Sequence, residues 1–503
     1  MEKQILNRQV VLDKTRDVLF ENKVVILFSA VTLFAFFASG MSTVMFFSEL
    51  FTRFGRNTFL VLSLLIPVVA GLGLNFGIVI GAMAAQIAVF LIVLWGGQGV
   101  FGVAAAATVA VPLAVIFGLL IGKLFNAMKG SEMVGGMVTA LFADGFYQFF
   151  FLFIMGGVIT VANARLVTPT GVGVVNSIDL HVENNMRQAL DNISMLTIVT
   201  IAFWIMLAFV AGLVLFKLVK KQPLKIAGAG GLKKPLVVFV PLAVIYGVSF
   251  VVEPFLYFLY QDRLMGLTAV RLVAVGMGLA AVYKIVYAKL IEKLPGLPTG
   301  QFGNIIFAGI IFAVTLGPNI SNGLSRVRVP VFTYLLIVGL CFFIQWFMGT
   351  RLGQNMRTVG HDRAVAATAG INVDRTRIIA MILSTLLAAW GQIISMQNFG
   401  VMQTYGAHSQ VGVFAIAALL VGGASVSRAT VKHALLGVIL FHSLFILAPI
   451  AGRELMGSAL IGEYFRVFVA NAVIAFALIM HAWKRAKSRK VSKPPAAVEQ
   501  RTA

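Results

Sequence analysis

Polar side chains are scarce in this chain, so each one inside an apolar run is a candidate for chemistry. Asp144 lies in the run ADGFYQ, with Tyr147 and Gln148 nearby. A charge in a nonpolar surround is costly, and is usually paired or functional. Asp144 therefore reads either as a polar contact lining a solute pathway or as a structural hydrogen bond in the inner third of its helix. Glu253, before Pro254, and Arg271 lie in neighbouring apolar runs and read as a structural pair. Gln392, Gln397 and Asn398, then Gln403, Tyr405, His408, Ser409 and Gln410, make a further polar island. Phe146, Tyr147, Phe149, Phe150 and Phe151 would suit the wall of a sugar site, or equally a lipid-facing or core stripe. The six histidines have no metal-ligand spacing, so no metal site is expected. GLLIGK at 118–123 is one residue short of a nucleotide loop, and no Ser or Thr follows its Lys. Gly118 and Gly122 read instead as a helix-packing face. No catalytic constellation appears, no cofactor is expected in this chain, and ATP hydrolysis by the usual route is excluded.

The elements that must position these groups follow from composition. Of 503 residues, 59% are apolar and 12% charged, with a mean hydropathy of +0.95. Lipid, not water, is the solvent in which such a chain folds. Apolar runs of about 20 residues predict helices rather than barrel strands. The expected fold is an all-α polytopic membrane protein with about 12 to 14 membrane segments, some of them half-spans. Residues 1–23 are polar and mixed in charge, with no small-residue cleavage site, so a cleavable signal is not expected. That segment reads as an interfacial helix or a solvated tail.

The expected membrane domain covers residues 24–483. Predicted spans are 24–47, 103–125, 137–162, 195–216, 235–260, 265–286, 303–320, 329–347, 378–394, 411–421, 434–449 and 465–480. Residues 59–95 are too long for one ordinary span, and Gly71, Gly73, Asn75 and Gly77 interrupt them. Two half-length helices meeting at GLGLNFG are expected there. Asn75 then belongs either to a translocation path or to a tight cytoplasmic turn. Residues 163–193 form a polar loop holding Asp179, Glu183 and Asp191.

Net charge is +22, concentrated in Lys217–Lys234, Lys284–Lys293 and a basic tail at 484–503. Alternate threading puts these clusters and both termini on one side, which the positive-inside rule makes cytoplasmic. The 163–193 loop then faces outward. The charge needs no nucleic acid to explain it. Cys341 is the single cysteine, so no intrachain disulfide forms.

Residues 349–377 form a polar island between two apolar runs, with Arg351, Arg357, Arg363, Arg375 and Arg377. A short helix is predicted over about 362–369. His361 or Asp362 caps its start, Gly370 ends it in a left-handed conformation, and Asn372 or Asp374 caps the next helix. It reads as a docking knob or as a plain solvated loop.

The residues Gly353, Arg357, Val359 and Gly360, then Ala369, Gly370, Ile371, Val373 and Arg375, resemble the cytoplasmic coupling loop of ABC-transporter permeases. The subgroup imports branched-chain amino acids, simple sugars and nucleosides. The resemblance runs on to Trp483 and is weaker over 57–152. Residues 166–297 stand outside it as an extra region. It implies that Arg357, Gly360, Asp362, Arg363, Ala366, Gly370 and Arg375 couple to a cytosolic ATPase, which would bind ATP and Mg. One departure is Arg363–Ala364, where the family usually carries an acidic residue.

The resemblance further implies a second permease subunit, identical or related. It also implies an outside binding protein, for which Asp179, Glu183 and Asp191 are contact candidates. Asn75, Asp144, Tyr147, Gln148, Gln392 and Gln397 are the substrate-path candidates. The implied function is a non-enzymatic permease of the inner membrane importing a small polar solute, sugar or nucleoside. An ion-gradient-driven transporter is the alternative, and needs mid-depth acids such as Asp144 and Glu253. A non-transporting scaffold is the third reading; the Gly-rich broken spans count against it.

Overall fold

The computed structural model describes residues 23–201, 265–290, 299–315 and 326–491, with short breaks at 162, 164, 182–184, 191–192, 196 and 199–200. The N-terminal segment, Glu183, Asp191, the Lys217–Lys234 cluster, Glu253 and the end of the basic tail lie outside the described residues. The chain divides into two compact units, residues 1–191 with 330–503, and residues 192–329.

The larger unit begins with α1 (Lys23–Ser39) and α2 (Thr43–Ser63). The expected first span at 24–47 is divided here: Ser42 caps α2 by accepting from the Met45 N–H at 3.3 Å. Arg53 and Arg56 lie within α2. The Arg53 side chain reaches Glu49 one turn back at 3.5 Å. The Arg56 guanidinium sits 4.3 Å from the Phe399 ring centroid. A short α3 (Leu65–Val69) leads into the glycine-rich break, and α4 (Ile78–Leu94) follows it. The broken span is thus present, with its first half drawn from α2 and α3 rather than starting at 59. Next come α5 (Gly99–Ala127) and α6 (Glu132–Phe149), the latter ending in a π-helical turn, Phe150–Ile154. Helix α6 stops well short of the expected 162.

The smaller unit holds β2 (Ile193–Ser194), α7 (Met265–Leu290), α8 (Thr299–Thr315) and β3 (Arg328–Val329). β2 and β3 pair antiparallel, Ile193 opposite Val329, and α7 packs on α8.

The larger unit resumes with α9 (Val331–Gly349), α10 (Arg351–His361), α11 (Arg363–Thr368) and α12 (Val373–Phe399). Strand β4 (Val401–Gln403) pairs antiparallel with β1 (Ser177–Asp179), Ile178 opposite Met402. Helices α13 (Ala407–Val421), α14 (Val431–Met456) and α15 (Ala459–Val491) complete it. Helix α14 runs through Pro449, which sequence alone made a stop. Five of the described helices are long and apolar enough to cross a membrane: residues 99–127, 132–154, 331–349, 373–399 and 431–456.

Helix α12 is the axis, and small residues let others reach its backbone. A Cβ on Gly118 or Gly122 of α5 would come within 2.6 or 2.9 Å of Ile382 or Ile378 Cα. One on Gly81 of α4 would meet the Thr385 carbonyl at 2.7 Å. Without a hydrophobic drive between helices in lipid, such close packing supplies the association energy. The outward face of α6 is different: Phe142, Phe146, Phe149 and Phe153 are exposed, whereas Tyr147 and Phe151 are buried. The aromatic stripe is therefore split between the two environments that sequence left open.

Crossings α13–α14 depend on Gly437, whose added Cβ would sit 1.9 Å from the Ala418 carbonyl oxygen. Gly437→Leu is expected to destabilise by about 2 kcal/mol or more, since backbone cannot yield. Gly339→Ala, in open space on α9, is expected to be neutral or to gain about 0.5 kcal/mol. Thermal unfolding in detergent checks the contrast.

Candidate functional site

The polar island folds as two helices, not one. Thr350 caps α10 by accepting from the Gly353 N–H at 3.3 Å. Gly353, Met356 and Val359 face inward while Arg357 is exposed on the opposite side. Asp362 then caps α11, its Oδ1 accepting from the N–H groups of Ala364 (2.7 Å) and Val365 (3.1 Å). Gly370 at φ +77° reverses the chain after α11, a conformation that costs a side-chain-bearing residue energy. Asn372 caps α12 by accepting from the Arg375 N–H at 2.9 Å. Local capping chemistry thus makes a helix of one and a half turns that stands apart from its neighbours.

Its outward face is small and mixed: Ala364, Val365, Ala367 and Thr368 are exposed, with Val365 57% accessible. Asp362, Gly370 and Arg375 are exposed at its ends. Three of the expected docking residues turn inward. Ala366 is fully buried. Gly360 lies against the break after α3, where an added Cβ would meet the Val69 carbonyl at 2.0 Å. Arg363, its side chain 32% exposed, is engaged by the chain's own helices. A groove of about 520 Å³ flanks α11, lined by Lys129, Arg363, Ala364, Ala367, Asp374 and residues 370–373. At its rim the Lys129 ammonium lies 3.3 Å from Asp374.

Arg363 donates through Nη2 to Glu132 Oε1 at 2.6 Å and to the Gly71 carbonyl at 3.2 Å. Arg377, fully buried, donates through Nη2 to the same Glu132 oxygen at 2.6 Å and to the Phe125 carbonyl at 3.2 Å. Two guanidinium charges against one carboxylate leave one net positive charge. The Nε and Nη1 of Arg377 are buried without a hydrogen-bond partner among the described residues. Charge-assisted bonds of this length are the strong class. Arg377, one of the arginines of the polar island, is thus drawn into the buried interior by Glu132. The only signals were an acid just ahead of one apolar run, Glu132, and an arginine directly preceding another, Arg377.

The second group lies higher. Asp144 is about 18 Å along α6 from Glu132 at about 1.5 Å per residue. Asp144 accepts from Gln148 Nε2 at 3.1 Å, and its Oδ1 lies 2.5 Å from Nε2 of His408 on α13. His408 is fully buried, and its ring centroid is 4.7 Å from that of Tyr147. The Tyr147 hydroxyl and His408 Nδ1 are buried with no partner among the described residues. His408, a member of the polar island that begins at Gln392, is thus packed inside against the carboxylate on α6.

Asn75 is fully buried and spent on structure. Its Nδ2 donates to Ser384 Oγ at 3.2 Å, its Oδ1 accepts from the Gly77 N–H at 2.9 Å, and Ser384 Oγ donates to the Ser63 carbonyl at 3.0 Å. Gln392 and Gln397, members of the same polar island as His408, are both buried on α12, which carries on past the expected end at 394. The Gln397 side chain accepts from the Leu190 N–H at 3.4 Å, while Gln392 Oε1 is buried without a partner. Gln86 on α4, missed by sequence, donates to the Gln403 carbonyl at 2.9 Å and keeps its own oxygen unpaired.

The polar stretch after α6 is not a free loop. It hydrogen-bonds the far end of α12 through Leu180 N–H to the Gly400 carbonyl (3.0 Å) and Gln188 N–H to the Gln397 carbonyl (2.8 Å). Thr404 N–H donates to the Asn176 carbonyl at 2.8 Å, and the Tyr405 hydroxyl to the Val174 carbonyl at 2.8 Å. Burial pushes the Tyr405 phenol above its ordinary pKa. Asp179 is exposed, but its Oδ1 accepts from the His181 N–H at 2.7 Å.

The family described as branched-chain amino acid transport system / permease component matches residues 205–478, including part of the stretch that sequence reading set apart. The ribose import permease protein RbsC of Escherichia coli (strain K12) is 25% identical over 225 residues, 41% of this chain and 66% of that protein. The probable ABC transporter permease protein YphD of the same strain is 30% identical over 167 residues, 33% of this chain and 48% of that protein. The chain thus spans less than two thirds of the length of these relatives. No solved structure matches.

Removing the α11 cap isolates the local argument. Asp362→Ala should cost about 1 kcal/mol in that helix, read as roughly fivefold faster amide exchange at Ala364 and Val365, with protection of α12 unchanged.

Proposed function

The chain belongs to the family of branched-chain amino acid transport system / permease components, and from that premise we propose that it is the membrane-spanning permease subunit of a binding-protein-dependent ABC importer. The cargo is a small polar solute, with a sugar or nucleoside favoured because the relatives include proteins named ribose import permeases. A cytosolic ATPase supplies the energy and docks on α11. A second permease subunit, identical or related, completes the pathway. An outside binding protein delivers solute at the far end, where Asp179 is exposed on β1. Both termini and the polar island face the cytoplasm.

The observation that carries this reading is the capped, outward-facing helix α11. Its exposed residues are small, so another subunit's cleft can close over it. ATP binding in that partner then shifts the permease between two states of similar stability. The permease itself needs no nucleotide site for this.

Asp144, Tyr147, Gln148 and His408 are the best-placed groups for the solute. A carboxylate, an amide and an imidazole match vicinal hydroxyls, and an aromatic face matches a sugar ring. The unpartnered Tyr147 hydroxyl and His408 Nδ1 are groups that a polyol would satisfy when the helices part. The same buried pair is what a proton-coupled transporter would need, so the driving force must be tested directly.

In proteoliposomes holding the chain, its ATPase and its binding protein, ribose uptake should require ATP. Uptake by this chain alone on an ion gradient would overturn the importer reading. Ala364→Trp or Val365→Asp should cut uptake at least about tenfold, with the fold intact because both sites are exposed. Asp144→Asn should raise the apparent KM about tenfold, the loss expected for one charge-assisted hydrogen bond. An unchanged KM would remove Asp144 from the path.

A further inference from the structure

We infer that Glu132 is the positioning residue that holds the docking helix α11 in register with α6 and α12, so that a displacement of α11 is carried into both. This deepens the importer reading and rests on it for the direction of the push. The tether itself rests on geometry alone.

Three elements meet at one carboxylate oxygen. Glu132 opens α6, Arg363 opens α11, and Arg377 lies on the buried face of α12. Both guanidinium groups reach Oε1 at 2.6 Å. Arg363 is the first residue after the Asp362 cap, so its backbone moves with α11 as a body. Its second bond, to the Gly71 carbonyl, ties α11 to the break between α3 and α4 as well. The two arginines repel one another, and the shared anion lies between them. Removing that anion leaves two like charges in a site where Arg377 has no solvent, and the response expected is for the partner whose Arg363 side chain is 32% exposed to leave. That partner is the docking helix.

Glu132 touches no solute and no exposed face of α11. Its role is transmission, and the carboxylate is suited to it. Two short charge-assisted bonds from different elements resist both separation and sliding, whereas apolar packing of small alanines would slide.

The test uses the full chain in lipid nanodiscs with Cys341→Ser. Spin labels are placed at Thr368 on α11 and Phe142 on α6, both exposed, and a second pair at Phe142 and Phe399. Arg363→Gln should at least double the width of the Thr368–Phe142 distance distribution and leave Phe142–Phe399 unchanged. Glu132→Gln should broaden the first pair as much or more, and Glu132→Asp less. A first-pair distribution that keeps its width in Arg363→Gln overturns the tether, and that variant leaves the buried Glu132–Arg377 pair intact for folding. In the transporting complex, Arg363→Gln should lower ribose taken up per ATP about tenfold, the worth of one charge-assisted bond; the parent's ratio would overturn the relay. Absence of ATP-driven uptake by the parent would instead refute the importer reading, with the distance result still deciding the tether.

Discussion

A carboxylate shared by two guanidinium groups is the constraint around which this helical unit is arranged. Ionised groups at the edge of lipid must find partners within the protein. Glu132 finds Arg363 and Arg377, and each arginine adds a backbone carbonyl, Gly71 or Phe125. Through these bonds one oxygen atom fixes the start of α6, the start of α11, the first turns of α12, the end of α5 and the glycine break. Register between these helices is thereby set by electrostatics, while close backbone packing is set by glycine.

The two devices work at different ranges. Glycine contacts at Gly118, Gly122 and Gly81 bring α4 and α5 onto the α12 backbone and leave little room for movement there. The polar contacts between α6 and α13, Asp144 with His408, join helices that lack such intimate backbone contact. A bundle built this way has a rigid interior, α12 with α4 and α5, and a rim fastened by a few polar bonds. Rearrangement is cheapest at that rim, because breaking one polar contact costs less than prising apart backbones in van der Waals contact.

What sequence made legible was local. Asp362, Gly370 and Asn372 were named as cap, stop and cap because their chemistry acts within three or four residues. Asp362 and Asn372 proved to be the capping choices over His361 and Asp374. Gly118 and Gly122 were legible because small residues four apart on an apolar helix have one use. The broken span at GLGLNFG was legible because glycine clusters interrupt helices. Partnerships across the fold were not. Glu132 and Arg377 are separated by 245 residues, and nothing in the text of either run names the other. Helix ends were misjudged for the same reason: α12 extends to Val373 and Phe399 because its polar flanks are satisfied by distant elements, Phe125 and Glu132 at one end and the β1–β4 layer at the other. The burial of His408 was not legible because its partners, Asp144 and Tyr147, lie on a distant helix.

The π turn at Phe150–Ile154 bears on how this region tolerates change. The Met155 N–H reaches back five residues to the Phe150 carbonyl at 3.0 Å, one residue more than an α turn accommodates. That surplus residue sets the angular phase of everything after it, keeping Phe151 inside while Phe149 and Phe153 look out. Loss of any single residue here would tighten the turn and rotate the following segment by roughly 100°, the angular step of one α-helical residue. Substitutions among aliphatic and aromatic side chains would leave that phase alone. In this short stretch, residue number is constrained more tightly than residue identity, so insertions and deletions should be rarer than exchanges.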